Sequence, residues 1–227
     1  CCSFHHGNAD DVVEGLSTWD RFALLAGGQK VRAGMPRVWQ YIYDSLVESG
    51  DFKDGFYSKG YDAEHAGELY EMLLACMELD PADAKLAEAN RKVADVIIDR
   101  CYNKETRLLH HPVLSTTGGH ERKGNPYVDE LLNGLYILNA FRAYMTTGQE
   151  KYRAWALEYG GKWNELAAAN GGLLPFVADS RTGKALAAWW GDSPFSYAKY
   201  GIIVAGRYLH GWPVAMAIMD GGNAKHL

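Results

Sequence analysis

Six of the eight histidines of this sequence lie in three stretches that show little regular periodicity. They are His5 and His6 near the first residue, His65 in an aromatic and acidic stretch, and His110, His111 and His120 in a basic stretch. An imidazole titrates near neutral pH, so it can accept and return a proton during one reaction, or bind a metal ion. The six histidines are therefore candidates for general acid–base catalysis or polar substrate binding. For the first pair, the alternative is a frayed terminus before a helix capped by Asp10.

The stretch around His65 combines an imidazole with carboxylates and phenols. His65 and Glu68 are three residues apart, so on a helix they share one face, and the carboxylate can orient the ring. Tyr57 and Tyr61 lie just upstream and add hydroxyl groups. A structural interpretation stays open beside this one, in which Asp62 caps a helix and Glu68 satisfies a buried His65.

The third stretch reverses the charge of the chain locally. The whole sequence has a formal net charge of −5, yet here Arg107, Arg122 and Lys123 stand with three histidines against one glutamate. Side chains of this kind bind carboxylate, sulfate or phosphate groups. The stretch is thus a candidate anion site, and the alternative is a solvated loop with basic residues placed by chance.

Two adjacent tryptophans, Trp189 and Trp190, precede a Gly-Asp dipeptide. Exposed flat apolar rings are unfavourable in water unless something covers them, and sugar rings commonly do so. A place in the core fits these rings equally well. The two neighbouring side chains cannot both point the same way.

Helices must position these stretches, because apolar residues recur with helical spacing along most of the chain. The clearest stripes are Met35, Val38, Trp39, Ile42 and Leu46; Ala66, Leu69, Leu73 and Met77; Val128, Leu131, Leu135 and Leu138; and Tyr152, Trp155, Tyr159, Trp163 and Leu166. Predicted helix starts are Asp80-Pro81 and Asn125-Pro126, and predicted helix ends lie at Gly27-Gly28, Gly50, Gly148 and Gly171-Gly172. The helices pair as antiparallel hairpins over 10–26 with 31–49, 62–79 with 82–101, and 126–147 with 149–169, followed by a less regular pair after 194.

The leading helices of these hairpins start near residues 10, 62, 126 and 194. Hairpins repeated at this loose spacing predict an all-α fold, either an α/α solenoid or an (α/α)n toroid, as a single domain over 1–227. Connections between hairpins are long, whereas those within hairpins are short. In a toroid the long connections emerge on one face, so we expect the histidine-rich stretches to converge on one cleft.

The composition excludes several classes of protein. Of the 227 residues, 48% are hydrophobic and 22% are charged, which is too apolar for a disordered chain. No apolar run approaches the ~20 residues of a membrane-spanning helix, and the negative charge predicts no general affinity for nucleic acid. The four cysteines lack the paired spacing of a zinc site, and Cys76 lies in an apolar run where a buried position is expected.

Four segments of the chain read YDAEHAGELY at 61–70, LDP at 79–81, TGQEKYR at 147–153 and WWGD at 189–192. Together with the repeated hairpins, they resemble the α/α-toroid enzymes of carbohydrate metabolism, and polysaccharide lyases in particular. The resemblance extends over most of the chain. It implies an acidic oligo- or polysaccharide as the partner, no organic cofactor, and a periplasmic or secreted location. No metal ligands are predicted, although a divalent metal ion stays open.

The resemblance also implies a β-elimination mechanism on a uronic-acid glycan. In such lyases a base removes the proton next to the uronate carboxylate, other groups neutralise that carboxylate, and an acid protonates the leaving oxygen. Carried over by residue type, the catalytic residues would be Tyr57, Tyr61, His65 and His111. Substrate-binding residues would be His5, His6, His110, His120, Arg122, Asn125, Trp189 and Trp190. Cations near the carboxylate would stabilise the negative charge that develops in the transition state.

Two other functions stay open at this point. A toroid glycoside hydrolase would use two carboxylates, such as Asp62 or Glu64 with Asp192. A non-catalytic helical-repeat module would bind a glycan without a paired acid and base. The length bears on all three functions, because a closed ring of six such hairpins needs roughly 300 residues. The chain is therefore a fragment, a member of an oligomer that completes the ring, or not a toroid.

Overall fold

The computed structural model of the protein describes residues 9–17, 19–53, 56–57, 63–110, 127–186 and 211–226. Its α-helices are α1 (Ala9–Ser17), α2 (Trp19–Ala26), α3 (Gln29–Glu48), α4 (Ala63–Leu79), α5 (Ala84–Val96), α6 (Leu135–Thr147), α7 (Glu150–Ala169) and α8 (Trp212–Met219). Its strands are β1 (Phe52–Lys53), β2 (Phe56–Tyr57), β3 (Tyr102–Asn103), β4 (Leu108–Leu109), β5 (Val128–Glu130), β6 (Val177–Asp179) and β7 (Lys184–Ala185). A π-helical turn, Ile97–Cys101, continues α5, and 3₁₀ turns span Leu131–Gly134 and Ala224–His226. The predominantly helical class predicted from the sequence is confirmed.

Apart from α2, which contacts α3 and α4, the described α-helices pack in two rows. In the first row α1 packs on α4, α4 on α6, and α6 on α8. In the second row α3 contacts α1 and α4, α5 contacts α4 and α6, and α7 contacts α6 and α8. Each helix of the second row therefore covers the joint between two helices of the first row. The predicted hairpin partners α4 with α5 and α6 with α7 are in contact, as expected from their short connections.

The apolar stripes identified in the sequence form the core between the rows. Buried members include Met35, Trp39, Ile42 and Leu46 of α3, Leu69, Leu73 and Met77 of α4, and Tyr152, Trp155, Tyr159 and Trp163 of α7. Within α7, the rings of Trp155 and Tyr159 stack with centroids 5.1 Å apart. Cys76 is fully buried, as its apolar neighbours predicted. No helix in the described part of the chain is long and apolar enough to span a membrane.

Short strands are the main departure from the sequence prediction. The helix expected over 126–147 begins only at Leu135, because Val128 belongs to strand β5 and Leu131 to a 3₁₀ turn. Strand β5 pairs antiparallel with β6, and β6 pairs with β7, so three short strands form one sheet. Pairing with a distant segment overrides the local helical pattern here, as tertiary contacts often do.

One helix start also differs from the predicted one. The helix expected over 10–26 is present on both sides of residue 18, as α1 and α2. Helix α5 begins after Asp83 rather than at Asp80-Pro81. The carboxylate of Asp83 accepts hydrogen bonds from the backbone N–H groups of Lys85 and Leu86, which would otherwise lack partners in the first turn.

Two buried asparagines connect α5 of the second row to α6 of the first row. The Asn90 side chain donates to the backbone carbonyl of Asn139 at 2.9 Å, and the Asn139 side chain donates to Asn90 Oδ1 at 2.9 Å. Both residues are fully buried. The reciprocal pair gives partners to both side-chain NH2 groups and to Asn90 Oδ1, which would be costly to bury unpaired, and it fixes the register of the two helices.

Helices α7 and α8 approach each other closely at Gly160. A Cβ atom there would lie 2.1 Å from Met216 Sδ and 3.1 Å from Trp212 Cζ3, whereas a Cβ at Gly161 would have no such neighbour within 4 Å. We expect Gly160→Ala to lower the free energy of unfolding by ~1–3 kcal/mol through overpacking. Gly161→Ala should be neutral or stabilising by up to ~1 kcal/mol, because alanine favours the helix. Urea denaturation measures both, and equal effects of the two variants would contradict this packing.

Candidate functional site

Two of the long connections meet at the three-stranded sheet. The connection between α5 and α6 supplies β3, β4 and β5, and the connection between α7 and α8 supplies β6 and β7. Beyond the strand pairing, the carbonyl of Ser180 accepts hydrogen bonds from Asn103 Nδ2 at 3.0 Å and Thr106 Oγ1 at 2.6 Å. The β3–β4 turn is therefore held against the β6–β7 turn. These two connections therefore contact each other, and convergence on one cleft stays a prediction.

A polar cluster lies where the strands end. His110 follows β4, Tyr127 precedes β5, and Ser180 and Arg181 follow β6. The His110 ring lies edge-on to the Tyr127 ring, with centroids 5.1 Å apart, and the Arg181 guanidinium lies 4.7 Å from the centre of the same phenol. Ser180 Oγ is 3.2 Å from His110 Nδ1. Tyr127 and Arg181 are exposed and His110 is half-buried, so a ligand can reach all three.

The guanidinium of Arg181 is fixed by its neighbour Asp179. Nε and Nη2 of Arg181 donate to the two carboxylate oxygens of Asp179, at 3.1 and 2.7 Å, and the backbone N–H of Arg181 donates to one of them at 2.8 Å. These contacts hold the pKa of Asp179 below its usual value. The carboxylate thus stays charged at neutral pH and sets the plane of the guanidinium against the Tyr127 ring.

The buried carboxyl group of Asp129 holds together the segments that carry the polar cluster. Its carboxyl group is fully buried and accepts hydrogen bonds from the backbone N–H of Leu109 at 2.7 Å, from Asn133 Nδ2 at 2.8 Å and from the Tyr159 hydroxyl at 3.2 Å. The first of these donors belongs to the residue immediately before His110. One carboxyl group therefore ties β4, the 3₁₀ turn before α6 and the middle of α7 to strand β5.

Burial raises the pKa of Asp129 to about 7, because the charged form loses its hydration. The hydrogen bonds from Asn133, Leu109 and Tyr159 oppose this effect, since they favour the carboxylate. Desolvation is the larger influence, so the group titrates near neutral pH. Because the carboxyl group has no exposed surface, it acts on the cluster through position rather than through contact with a ligand.

Most residues predicted to form the site lie outside the described part of the chain. These are His5, His6, Tyr61, His111, His120, Arg122, Asn125, Trp189 and Trp190. The backbone places Tyr57 on β2 and His65 in the first turn of α4. Of the residues assigned to catalysis or substrate binding, His110 is the one whose side chain can be described, and it lies in the polar cluster. Within the described ranges, no group of three His, Cys, Asp or Glu side chains could hold a metal ion.

Arg107 forms an ion pair within the protein, whereas its charge had made it a candidate for anion binding. Its guanidinium donates to both carboxylate oxygens of Glu165 on α7, at 3.0 and 2.5 Å, so the ion pair neutralises this member of the predicted anion site. Its backbone has φ of 60°, in the left-handed region that non-glycine residues rarely adopt. Arg107 closes the β3–β4 turn and joins it to α7, which is a structural role.

No sequence pattern singled out Tyr127, Ser180 or Arg181 as site residues. Ser180 and Arg181 belong to the segment Asp-Ser-Arg-Thr-Gly at 179–183, whose composition is typical of a tight turn. That signal locates a turn between two strands without showing which distant residues it will meet. Asp129 lies in the stretch 126–147 that was predicted as a helix, so its pattern gave no indication of a buried polar role.

The profile of one protein family matches the first half of the chain. The family is described as "Domain of unknown function (DUF8034)", and its profile matches residues 4–132, more than half of the chain. The chain belongs to this family. The DUF8034 match includes His110, Tyr127 and Asp129, whereas Ser180 and Arg181 lie beyond it. No curated protein and no solved structure matches the chain significantly.

The raised pKa of Asp129 predicts a pH-dependent stability. The folded state holds the proton more tightly than the unfolded state, in which an aspartate has a pKa near 3.8. The Asp129 contribution is therefore fully present below about pH 4 and is lost as pH rises through about 7, on the order of a few kcal/mol. Asp129→Asn removes this titration, so wild type should lose stability relative to the variant as pH rises.

Chemical denaturation of both proteins at a series of pH values measures this difference. Asp80→Asn, which changes an exposed acid in the turn between α4 and α5, is the matched control and should follow the wild type. Parallel stability curves for wild type and Asp129→Asn would contradict the assignment.

Proposed function

We propose that the chain is a polysaccharide lyase that cleaves a uronic-acid glycan by β-elimination. The observation that carries the proposal is the contact of the exposed Tyr127 ring with both the imidazole of His110 and the guanidinium of Arg181. A phenol, an imidazole and a guanidinium are the groups that this reaction needs: two that exchange protons and one that neutralises a carboxylate.

We further propose that the two rows of helices are an arc of an α/α toroid. The first row, α1, α4, α6 and α8, is continuous, and each second-row helix covers a joint between its members. The meeting of two successive connections at one sheet supports the same arrangement, because connections of a toroid share a face. In this architecture the polar cluster lies on the face that receives the glycan.

Proton transfer is assigned to Tyr127 and His110. One of them removes the proton from the carbon next to the uronate carboxylate, and the electron pair forms a carbon–carbon double bond. The bond from the β carbon to the glycosidic oxygen breaks, and the leaving oxygen takes a proton from the other group. Contact with Ser180 engages His110 Nδ1, so Nε2 is the nitrogen assigned to the transfer.

Arg181 is assigned to the substrate carboxylate. Its Nε and Nη2 atoms bind Asp179, which fixes the guanidinium plane and directs the Nη1 edge elsewhere. Asp179 offsets the net charge of Arg181, so the proposed role rests on hydrogen bonds from Nη1 to the substrate carboxylate. Such bonds stabilise the enolate-like transition state more than the ground state, and so lower the barrier. Ser180 is fully buried, so its role is to orient His110 rather than to attack a substrate.

The test is incubation of the protein with a panel of uronate polymers while ultraviolet absorbance records the unsaturated product. On a polymer that wild type cleaves, we expect Tyr127→Phe and His110→Ala each to lower kcat by at least ~100-fold, because each removes a proton-transfer group. Tyr41→Phe is the matched control, since it removes an exposed phenol on α3 and should change kcat by less than about twofold.

Other outcomes would replace the proposal with a different function. Release of reducing ends without the ultraviolet chromophore would identify a glycoside hydrolase. Binding of the glycan without turnover by wild type would identify a binding module. Full activity of both site variants would leave the reaction class intact and remove the polar cluster as its catalytic centre.

A further inference from the structure

The hairpin of α2 and α3 carries apolar side chains that the rest of the described structure does not cover. Most residues of α2 are exposed, and Ala23 is its buried residue. Trp19, Phe22 and Leu24 are each about half exposed, and Leu25 is 89% exposed. Large apolar side chains on a protein surface are normally scattered singly, whereas four of them in one short helix indicate an interaction site.

These side chains continue around the turn that leads into α3. The ring of Trp19 meets that of Phe22 edge-on, with centroids 6.4 Å apart. The Phe22 ring also lies against the turn, 3.4 Å from the position that a Cβ atom of Gly28 would take. Leu25 is two residues from the buried Ala23, so its side chain points away from the body of the protein.

Cations surround the apolar side chains. Residues 19–43 contain four basic residues and one acidic residue, although the whole chain has a net charge of −5. All four cations are exposed, and within the described ranges none of them forms an ion pair with a carboxylate; they are Arg21, Lys30, Arg32 and Arg37. Lys30 and Arg32 lie near the start of α3, where a positive charge opposes the helix dipole. We call the exposed residues of α2, together with Lys30 and Arg32, the α2–α3 surface.

The carboxylates near α2 do not balance these cations. Burial is the main cause that raises the pKa of the Cys76 thiol to about 12, and the charges of Asp20 and Asp83 contribute to the effect. Asp20 therefore lies on the side of α2 that packs on α4, and the Asp83 carboxylate is engaged as the cap of α5. The next acid along α3 is Asp44, which is about 18 Å beyond Arg32 along the helix axis.

The α2–α3 surface and the polar cluster lie towards opposite ends of the first-row helices. Helices α4 and α6 run parallel, since Tyr70 contacts Tyr136 and, later in both helices, Glu78 pairs with Arg142. Asp20 of α2 lies near the C-terminal part of α4, whereas the polar cluster precedes the start of α6. A partner bound to the α2–α3 surface would therefore leave the polar cluster accessible.

We propose that the α2–α3 surface docks on a lipid bilayer that contains anionic lipids. Trp, Phe and Leu side chains enter the boundary between headgroups and acyl chains, and neighbouring Lys and Arg side chains bind anionic headgroups. A fluid bilayer can also surround a short helix that is exposed on most of its circumference. A second copy of the chain fits less well, because a twofold contact would place the same cations against one another.

Vesicle co-sedimentation of the full chain tests the proposal. The vesicles contain phosphatidylcholine alone, or phosphatidylcholine with an equal amount of phosphatidylglycerol. We expect partitioning onto the mixed vesicles to be stronger by about tenfold or more, and most of this difference to disappear in about 0.5 M salt. Absence of binding to the mixed vesicles, or equal binding to both kinds, would overturn the proposal.

Leu25→Ser tests the apolar part of the contact. The side chain makes little contact with the protein, so the variant should fold normally and lower partitioning onto mixed vesicles by about tenfold. Leu173→Ser is the matched control, because it makes the same change at a leucine that is 71% exposed between α7 and β6. It should bind as wild type does. Equal partitioning of the two variants would refute docking through α2.

A double variant, Lys30→Gln with Arg32→Gln, tests the cations. It should lower partitioning onto mixed vesicles by about tenfold or more and leave partitioning onto neutral vesicles unchanged. Lys104→Gln with Lys184→Gln removes two positive charges from exposed positions outside the α2–α3 surface, so it should match wild type. Wild-type binding of the Lys30 and Arg32 variant would contradict the role given to these charges.

The same variants reveal other partners. Poly-L-glutamate carries acidic peptide charge without an apolar interior. If it binds as tightly as mixed vesicles and Leu25→Ser has no effect on either, an acidic protein would replace the bilayer as the partner. A dimer in sedimentation velocity that Leu25→Ser dissociates would assign the surface to a second copy of the chain and overturn the proposal.

Vesicle binding and turnover are read separately, so this proposal and the lyase proposal can fail separately. Vesicle binding that depends on Leu25, without turnover of any uronate polymer, would retain the docking surface and remove the lyase. Turnover without vesicle binding would do the reverse.

Discussion

The carboxyl group of Asp129 is the interaction on which the arrangement of the connections depends. It is buried without any exposed surface, and it collects donors from β4, from the 3₁₀ turn and from α7. A buried carboxyl group is tolerated only when its oxygens are satisfied, and each donor would itself be costly to leave unpaired. The group and its donors therefore require one another, and the ends of the strands, with His110 and Tyr127, follow from where that group lies.

Much of the helical fold could be predicted, because one apolar stripe determines which face of a helix is buried. Met35, Trp39 and Ile42 illustrate this, since their spacing identified both a helix and its buried face. Strand β5 could not be predicted in the same way. Val128 and Leu131 fit a helical period, and only pairing with β6, some fifty residues later in the chain, makes them a strand and a turn. The predicted start of α5 was wrong for a local reason. Asp80 and Asp83 are both plausible N-cap residues, and side-chain geometry decides between them.

The candidate site was less predictable than the fold. His110 was found from its residue type, yet its neighbours were not. Ser180, which contacts His110, and Arg181, which contacts Tyr127, come from a turn about seventy residues after His110. Arg107 was predicted to belong to an anion site because of its charge, but it is paired with Glu165. Glu165 lies on a helix that no sequence pattern links to the β3–β4 turn. Residue type thus indicates which groups can do chemistry, whereas the pairing of distant turns determines which of them meet.

The sheet that joins the two connections has a consequence for the order of folding. Contacts within each helical hairpin are local, but β5 with β6, and Asn103 and Thr106 with Ser180, close loops of roughly fifty to seventy-seven residues. Closing such loops costs chain entropy that only the finished contacts repay. During synthesis, α5, α6 and α7 can form before the segment that carries β6 exists. We therefore expect the helical scaffold to form first and the polar cluster to assemble late in folding.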